Sequence, residues 1–372
     1  MSTLDPTKEY PYPLDGDFDA VVFIGRFQLG MHNGQLALVH RGLDMGEEVI
    51  IVLGSAHRAR SPRHPLHAAE REAVIRSCLT GEQNQRVKFV YIRDYYDDDR
   101  WCAAVRSGVG SLTNPNVKIA LIGHEKDRSS YYLHLFPEWK LFKEPSVGEV
   151  NETEVRSLWF EREYESDAET FLRTMVPAGT YQFLTTFKKL PLFESLRNQH
   201  YAIRADVERW KVAPYVPNHS CLDAVVEFRE HVLLIERGGE YGTGALAWPG
   251  GFLEPDERVV EGALRELREE SSLAIRPELL RTFIRDRELF DDPCRSEAGR
   301  RLSHAFYFNL NDGGFEGLPA GELPPVKGCS DARHAMWVPK TQLPSLEERF
   351  FEDHFMIGDR FLHYVLPVVP GS

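Results

Sequence analysis

Three features of this chain predict an α/β domain built on a parallel sheet, followed by an α+β domain. In the first half, four short apolar runs, DAVVFIG (Asp19 to Gly25), EVIIVLGS, VKFVYIRD and VKIALIGH, are separated in part by amphipathic helical stretches. Strands alternating with helices form parallel sheets whose ligands lie at the carboxyl ends of the strands. From Ser220 the order becomes hairpin, glycine loop and acidic helix, with further strands in RTFIRDREL, RLSHAFYFNL and HAMWVPK, which describes a mixed sheet with a helix against it. Size agrees, since 372 residues that are 42% hydrophobic suit two cores better than one. Pro191, Pro214 and Pro217 interrupt the pattern between the halves, so the expected division is 1–187, a linker 188–217, and 218–372.

The first strand ends in glycine, but the dinucleotide fingerprint Gly-x-Gly-x-x-Gly does not follow it. GRFQLGMHNGQ, Gly25 to Gln35, stands there instead. Gly25 allows a tight exit, Arg26 and His32 offer cationic or hydrogen-bonding groups, and Gly34 lets a phosphate approach the next helix. The plainer reading is a loop with a solvated histidine. Further on, Arg58, Arg60 and Arg63 cluster with His57, His64 and His67. They form either a solvated loop or a phosphate-capturing one. Lys126 and Asp127 follow a strand end, where substrate residues gather. Tyr131 and Tyr132 are candidates for stacking on a base, or for the core.

In the second half the central stretch is WPGGFLEPDERVVEGALRELREESSL, Trp248 to Leu273. At about 100° of rotation per residue, Glu266, Glu269 and Glu270 share one helical face. Val260, Leu264 and Leu267 fall on another and can pack against a core. Crowded carboxylates repel one another unless a cation neutralises them. A hard divalent ion fits, Mg²⁺ best and Mn²⁺ as the alternative, because it accepts a few carboxylates and keeps positions for water and substrate phosphate. Pro249, Gly250 and Gly251 bring the backbone close to such a ligand. A solvated acidic helix would explain the glutamates alone, but not Gly251, Glu257 and Arg265 at their spacing.

The stretch resembles the Nudix box at Gly251, Glu257, Arg265, Glu266, Glu269 and Glu270, with Ser272 in place of the family's late glycine. The resemblance implies that Glu266, Glu269 and Glu270 hold the metal, and that Arg265 and Glu257 orient or support them. Gly25, Arg26, Phe27, Gln28, His32 and Gly34 resemble the signature of adenylyl-transferring nucleotidyltransferases. Leu29 replaces a proline, Gln28 and His32 are one residue further apart, and Gln35 stands where the second histidine belongs. VNETEVR, Val150 to Arg156, is similar to that family's Ile-Ser-x-Thr-x-Ile-Arg, which implies that Thr153 and Arg156 cap a helix and bind ATP phosphates. With SAHRARSPRHPLHAAERE, RDYYDDDRWCAAV and GHEKDRSSYYLHLFPEW, the chain looks like nicotinamide mononucleotide (NMN) adenylyltransferases fused to a Nudix domain. DDPCRSEAGRRLSHAFYF resembles a loop and strand of ADP-ribose pyrophosphatases, where Arg295, Ser296, Arg300 and His304 would reach a diphosphate or ribose.

The resemblance therefore implies a Rossmann-like nucleotidyltransferase domain followed by a Nudix domain. The first would join NMN and ATP into NAD and diphosphate, and the second would hydrolyse ADP-ribose to AMP and ribose 5-phosphate. Two other readings stay open: a hydrolase whose first domain only binds nucleotide, motivated by Gln35, and a ligand-sensing regulator. The balance of 44 basic against 57 acidic residues, −13, argues against nucleic-acid or anionic-membrane partners. No stretch approaches ~20 apolar residues, and the polar first residues do not read as a secretory signal. The chain is therefore expected in the cytoplasm, and a homo-oligomer is compatible with it. Five scattered cysteines, without a Cys-x-x-Cys pair, suggest neither disulfides nor a zinc site.

Overall fold

The computed structural model describes residues 18–125, 128–145, 150–311, 318–319, 321–364 and 369–370. It divides into two compact units, Met1–Ala56 with Ala68–Thr186 and Val368–Ser372, and His57–His67 with Phe187–Pro367.

In the first unit the chain order is β1 (Phe18–Gly25), α1 (Asn33–Met45), β2 (Gly46–Leu53), α2 (Ala68–Ser77), α3 (Gly81–Arg86), β3 (Val87–Tyr91), α4 (Asp98–Leu112), β4 (Ile119–Gly123), β5 (Lys140–Lys143), α5 (Glu152–Phe160), α6 (Glu165–Met175) and α7 (Ala178–Phe187). Strands β3, β2, β1, β4 and β5 pair in that order, all parallel. Their near-continuous apolar runs follow from burial on both faces. Val21 and Phe23 point to a core shared with Leu38 and Val39 of α1. Ala20, Val22 and Ile24 point to the opposite core, with Val105 and Val109 of α4. Ligand-accessible positions are thereby left at the carboxyl ends of β1 and β2.

Residues 188–217 are not the irregular linker expected. They carry α8 (Pro191–Arg209), which buries Phe193, Leu196 and Ile203 and belongs to the second unit. Pro191 starts this helix instead of breaking it, because a first-turn residue needs no amide donor.

The second unit continues with β6 (His219–Phe228), β7 (His231–Arg237), β8 (Leu246–Ala247), β9 (Gly250–Phe252), α9 (Val259–Ser271), α10 (Pro277–Thr282), β10 (Ile284–Phe290), β11 (Arg301–Asn309), β12 (Ala332–Pro339) and α11 (His354–Leu362). The sheet runs β10-β11-β6-β7-β12, with β8 on β7 and β9 on β6. Only β6 and β11 are parallel among these pairs. The mixed sheet predicted from the second half is therefore present. Leu264 and Leu267 of α9 pack with Leu222, Ala224 and Val226 on one face, joined by the partly buried Val260. Phe355, Ile357 and Phe361 of α11 pack with Val225 and Leu234 on the other.

The last described residues depart from the expected division at 218–372. Val369 and Pro370 form β13, antiparallel to β3 in the sheet of the first unit. Among the described residues no helix is long and apolar enough to cross a membrane.

Candidate functional site

In the first unit the loop Gly25–Gln35 leaves the carboxyl end of β1. Phe27 adopts a left-handed φ of 48° and is fully buried, and its ring lies 2.7 Å from where a Cβ on Gly25 would stand. Only glycine leaves room for that turn. Arg26 keeps its side chain exposed, while its carbonyl accepts a hydrogen bond from the buried Arg71. Arg71 also donates to the carbonyls of Gly54 and Ser55, tying the ends of β1 and β2 together.

Gly34 is buried in the first turn of α1. His32 is the N-cap of that helix: its Nδ1 accepts from the Gln35 amide at 3.4 Å, and the Gln35 Oε1 accepts from the His32 amide at 3.0 Å. This reciprocal arrangement satisfies two donors left over at the helix start. The Gln35 Nε2 donates to Glu152 at 3.0 Å, and the same carboxylate oxygen accepts from the Gln28 amide at 3.1 Å. Arg156 donates to the Gln28 side chain. The signature loop is thereby fastened to the start of α5.

One expectation for the segment that meets this loop changes. The cap of α5 is Asn151, whose side chain accepts from the Glu154 amide at 2.9 Å. Thr153 is already the second residue inside the helix, two positions past the cap. Glu152, which organises the loop, was not among the predicted residues; a carboxylate in the first turn of a helix, favoured by the helix dipole, was its signal. Lys126 and Asp127 lie outside the described residues. Tyr131 is exposed and donates to Asp98 at 2.9 Å, whereas Tyr132 packs with Trp101 in the core.

The basic segment His57–His67 belongs to the second unit. Ser61 and the Arg63 amide donate to Glu297 at 2.7 and 3.1 Å, and the Arg63 guanidinium donates to the carbonyls of Cys294 and Ser296. Arg58 donates to the Glu352 carbonyl, and His57 and His67 face Glu348 at 3.7 and 3.3 Å.

In the second unit Arg265 stands at the centre of the acidic helix. It donates two hydrogen bonds to Glu257, at 3.0 and 2.7 Å, one each to Glu266 and Glu269, at 2.9 and 3.1 Å, and one to the Phe252 carbonyl at 3.1 Å. Those bonds hold the Glu257 carboxyl below the usual carboxylate range. Burial outweighs Arg265 at Glu266 and pushes its carboxyl up. Glu270 is 5% exposed and accepts from the Gly250 amide at 2.8 Å. Burial pushes its carboxyl up to about 8, against the pull of that amide.

Gly250 and Gly251 lie in β9, opposite Asp223 and Leu222 of β6. A Cβ on Gly251 would meet the Glu266 Oε1 at 2.3 Å, and one on Gly250 the Leu222 carbonyl at 2.0 Å. Among the described residues no three acidic, histidine or cysteine side chains are already gathered for one ion. Arg265 takes Glu266 and Glu269, and Glu270 turns to Gly250. The donor set nevertheless fits a divalent cation: hard oxygen ligands, two of them, Glu266 and Glu270, carboxyls whose charge burial disfavours, with Arg265 serving as the cation for Glu266 and Glu269 in this structure.

Behind β9, the Asp223 carboxylate accepts from Ser303. His354 accepts the Trp248 amide on Nδ1 at 3.1 Å and the Trp248 indole N–H on its carbonyl at 2.6 Å. Sequence patterns do not mark Asp223 or Ser303, which meet across the paired strands β6 and β11; FFEDHFMIGDRF resembles the family's carboxyl-terminal pattern but gives Asp353 and His354 no definite role. Arg295 does not reach out to a ligand as expected. It is buried and donates to both oxygens of the fully buried Asp353, at 2.8 and 2.9 Å, because a desolvated guanidinium requires a carboxylate. Arg300 is half-buried and donates to the Asp291 carbonyl.

A parallel α/β unit with a phosphate-type loop after its first strand, joined to a mixed-sheet unit with a glycine-lined acidic helix, defines a nucleotidyltransferase coupled to a Nudix domain. Residues 218–358 match the NUDIX domain family. The nicotinamide/nicotinic acid mononucleotide adenylyltransferase of Acinetobacter baylyi is 37% identical over 186 residues, 50% of this chain and 95% of that protein. An ADP-ribose pyrophosphatase of Methanocaldococcus jannaschii is 26% identical over 168 residues, 44% of this chain and 88% of that protein. A bifunctional NMN adenylyltransferase/ADP ribose pyrophosphatase from Francisella tularensis, crystallised with AMP and a manganese ion, superposes with a TM-score of 0.84 at 30% identity, covering 93% of this chain and 99% of that one. The chain belongs to the family of bifunctional NMN adenylyltransferase/ADP-ribose pyrophosphatases.

Proposed function

We propose that the first unit joins NMN and ATP into NAD and diphosphate, and that the second hydrolyses ADP-ribose to AMP and ribose 5-phosphate, in the cytoplasm. The observation that carries the hydrolytic half is the gathering of Glu257, Glu266 and Glu269 around Arg265, beside the Gly250 amide that Glu270 accepts. Glu266, Glu269 and Glu270 would hold Mg²⁺ or Mn²⁺. When bound, the ion neutralises diphosphate charge and supplies an activated water. Gly250 and Gly251 let the diphosphate approach the backbone, and Arg265 and Glu257 orient the helix carboxylates.

In the first unit an NMN phosphate oxygen attacks the α-phosphorus of ATP, and diphosphate leaves. His32 and Arg156 would stabilise the charge that develops, and Arg26, Gln28 and Gly34 would contact the nucleotide. Mixing the chain with NMN, ATP and Mg²⁺ should yield NAD, and mixing it with ADP-ribose and Mg²⁺ should yield AMP. Glu269→Gln should slow AMP release at least ~100-fold, since a charged ligand of the ion is lost; near-normal turnover would remove Glu269 from this role. A second reading, hydrolysis alone, draws support from Gln35, whose amide donates to Glu152 where the family's histidine would carry charge. Absence of NAD above background would favour it.

A further inference from the structure

The segment His57–His67 lies between β2 and α2 in the sequence, yet it belongs to the second unit, where His57, Arg58, Ser61, Arg63 and His67 reach Cys294, Ser296, Glu297, Glu348 and Glu352. Ser61 and the Arg63 amide share one Glu297 oxygen, and Arg63 spans the carbonyls of Cys294 and Ser296. The Glu297 amide in turn donates to the Glu352 carboxylate at 3.3 Å, which also accepts from the Tyr241 hydroxyl at 2.7 Å. Arg58 holds the Glu352 carbonyl. Glu352 has a left-handed φ of 42°, and is followed by the buried Asp353, paired with Arg295, and by His354. His354 fixes Trp248 through two hydrogen bonds, and Trp248 is two residues from the amide that Glu270 accepts.

We infer that His57–His67 is a positioning segment for the hydrolytic site, holding Glu297 and Glu352 so that His354 and Trp248 place the Gly250 amide and Glu270. The inference rests on the ADP-ribose hydrolysis proposed above. The hydrogen bonds of Arg58, Ser61 and Arg63 described above go to Glu297, Glu352 and the carbonyls of Cys294 and Ser296, so a positioning role predicts that their removal lowers the rate of the chemical step and leaves substrate affinity in place. This assignment also replaces capture of NMN or ATP phosphates as the use of Arg58 and Arg63, which donate to carbonyls of the second unit.

The test uses the full chain and both reactions. Ser61→Ala combined with Arg63→Ala should lower kcat for ADP-ribose roughly tenfold, the scale expected for a small misplacement of catalytic groups, with KM within about twofold. The KM values for NMN and ATP should not change. Glu297→Ala should reproduce the loss, and Glu297→Gln, which keeps an acceptor oxygen for Ser61 and Arg63, should recover most of the rate. If the double variant does not fold, the comparison of Glu297→Ala with Glu297→Gln decides alone. Unchanged hydrolysis in Glu297→Ala, or a loss that Glu297→Gln does not repair, overturns the inference, as does a raised KM for NMN with normal hydrolysis. A wild-type chain that releases no AMP from ADP-ribose sinks the functional reading instead, which keeps the two failures distinct.

Discussion

Two adjacent glycines separate stability from catalysis at the hydrolytic site. A Cβ on Gly250 would sit 2.0 Å from the Leu222 carbonyl and 2.8 Å from the Asp223 carboxylate, within the β6–β9 pairing. Backbone cannot yield there, so Gly250→Ala should destabilise the unit by about 2 kcal/mol, as overpacking does. The nearest atoms to a Cβ on Gly251 are the end of the Glu266 side chain, 2.3 Å away at its Oε1. That carboxylate can swing away, so Gly251→Ala should leave thermal unfolding nearly unchanged while AMP release falls roughly tenfold. Equal effects on melting and on turnover would contradict this division. The spacing of Gly251, Glu257, Arg265 and the glutamates was readable because a helix fixes which positions share a face. The pairing of Arg295 is not readable in the same way, because a loop arginine that finds a buried aspartate 58 positions away looks, in sequence, like one that faces solvent.

Helix ends were less legible than helix bodies. The apolar spacing of Leu264 and Leu267 places α9 correctly, but the resemblance points to Thr153 as the cap of α5, whereas Asn151 makes the bond. Serine, threonine, asparagine and aspartate are near equivalents as caps, so a stretch holding two of them leaves the register open. Asn151→Ala should cost about 1 kcal/mol, and Thr153→Ala within about 0.5 kcal/mol, as an exposed substitution does, both read by denaturant midpoint. The reverse ranking would restore the Thr153 assignment. At the end of α9, Ser272 takes the left-handed conformation that glycine favours, with φ 53°, and its amide donates to the Arg268 carbonyl. Ser272→Gly should therefore stabilise the unit by about 1 kcal/mol; no gain would mean that the contact of its hydroxyl with Cys329, at 3.4 Å, offsets the strain.

Over the whole molecule, both sheets were legible, since alternation with helices and alternation with turns leave different apolar patterns. The transfer of His57–His67 to the second unit and the return of Val369–Pro370 to the first were not, because neither segment has a periodic pattern and each is fixed by distant partners. Distant partners also set how stability depends on pH. Burial lowers the proton affinity of the His354 imidazole, Asp223 and Asp353 oppose that shift, and Arg295 and Arg237 add to it. Its Nδ1 accepts the Trp248 amide, so the neutral ring is the one the fold requires. The unfolded chain takes up this proton below about pH 6.5 and the folded chain resists it, so the unfolded state binds more protons in that window. Stability from this group is complete above pH 6.5 and falls as the solution is acidified through the folded value. Unfolding free energies measured from pH 7.5 down to 5 should decline for the wild-type chain more steeply than for His354→Asn, which keeps an acceptor for Trp248 but cannot take a proton. Parallel pH profiles for the two proteins would mean that His354 does not carry this part of the acid sensitivity.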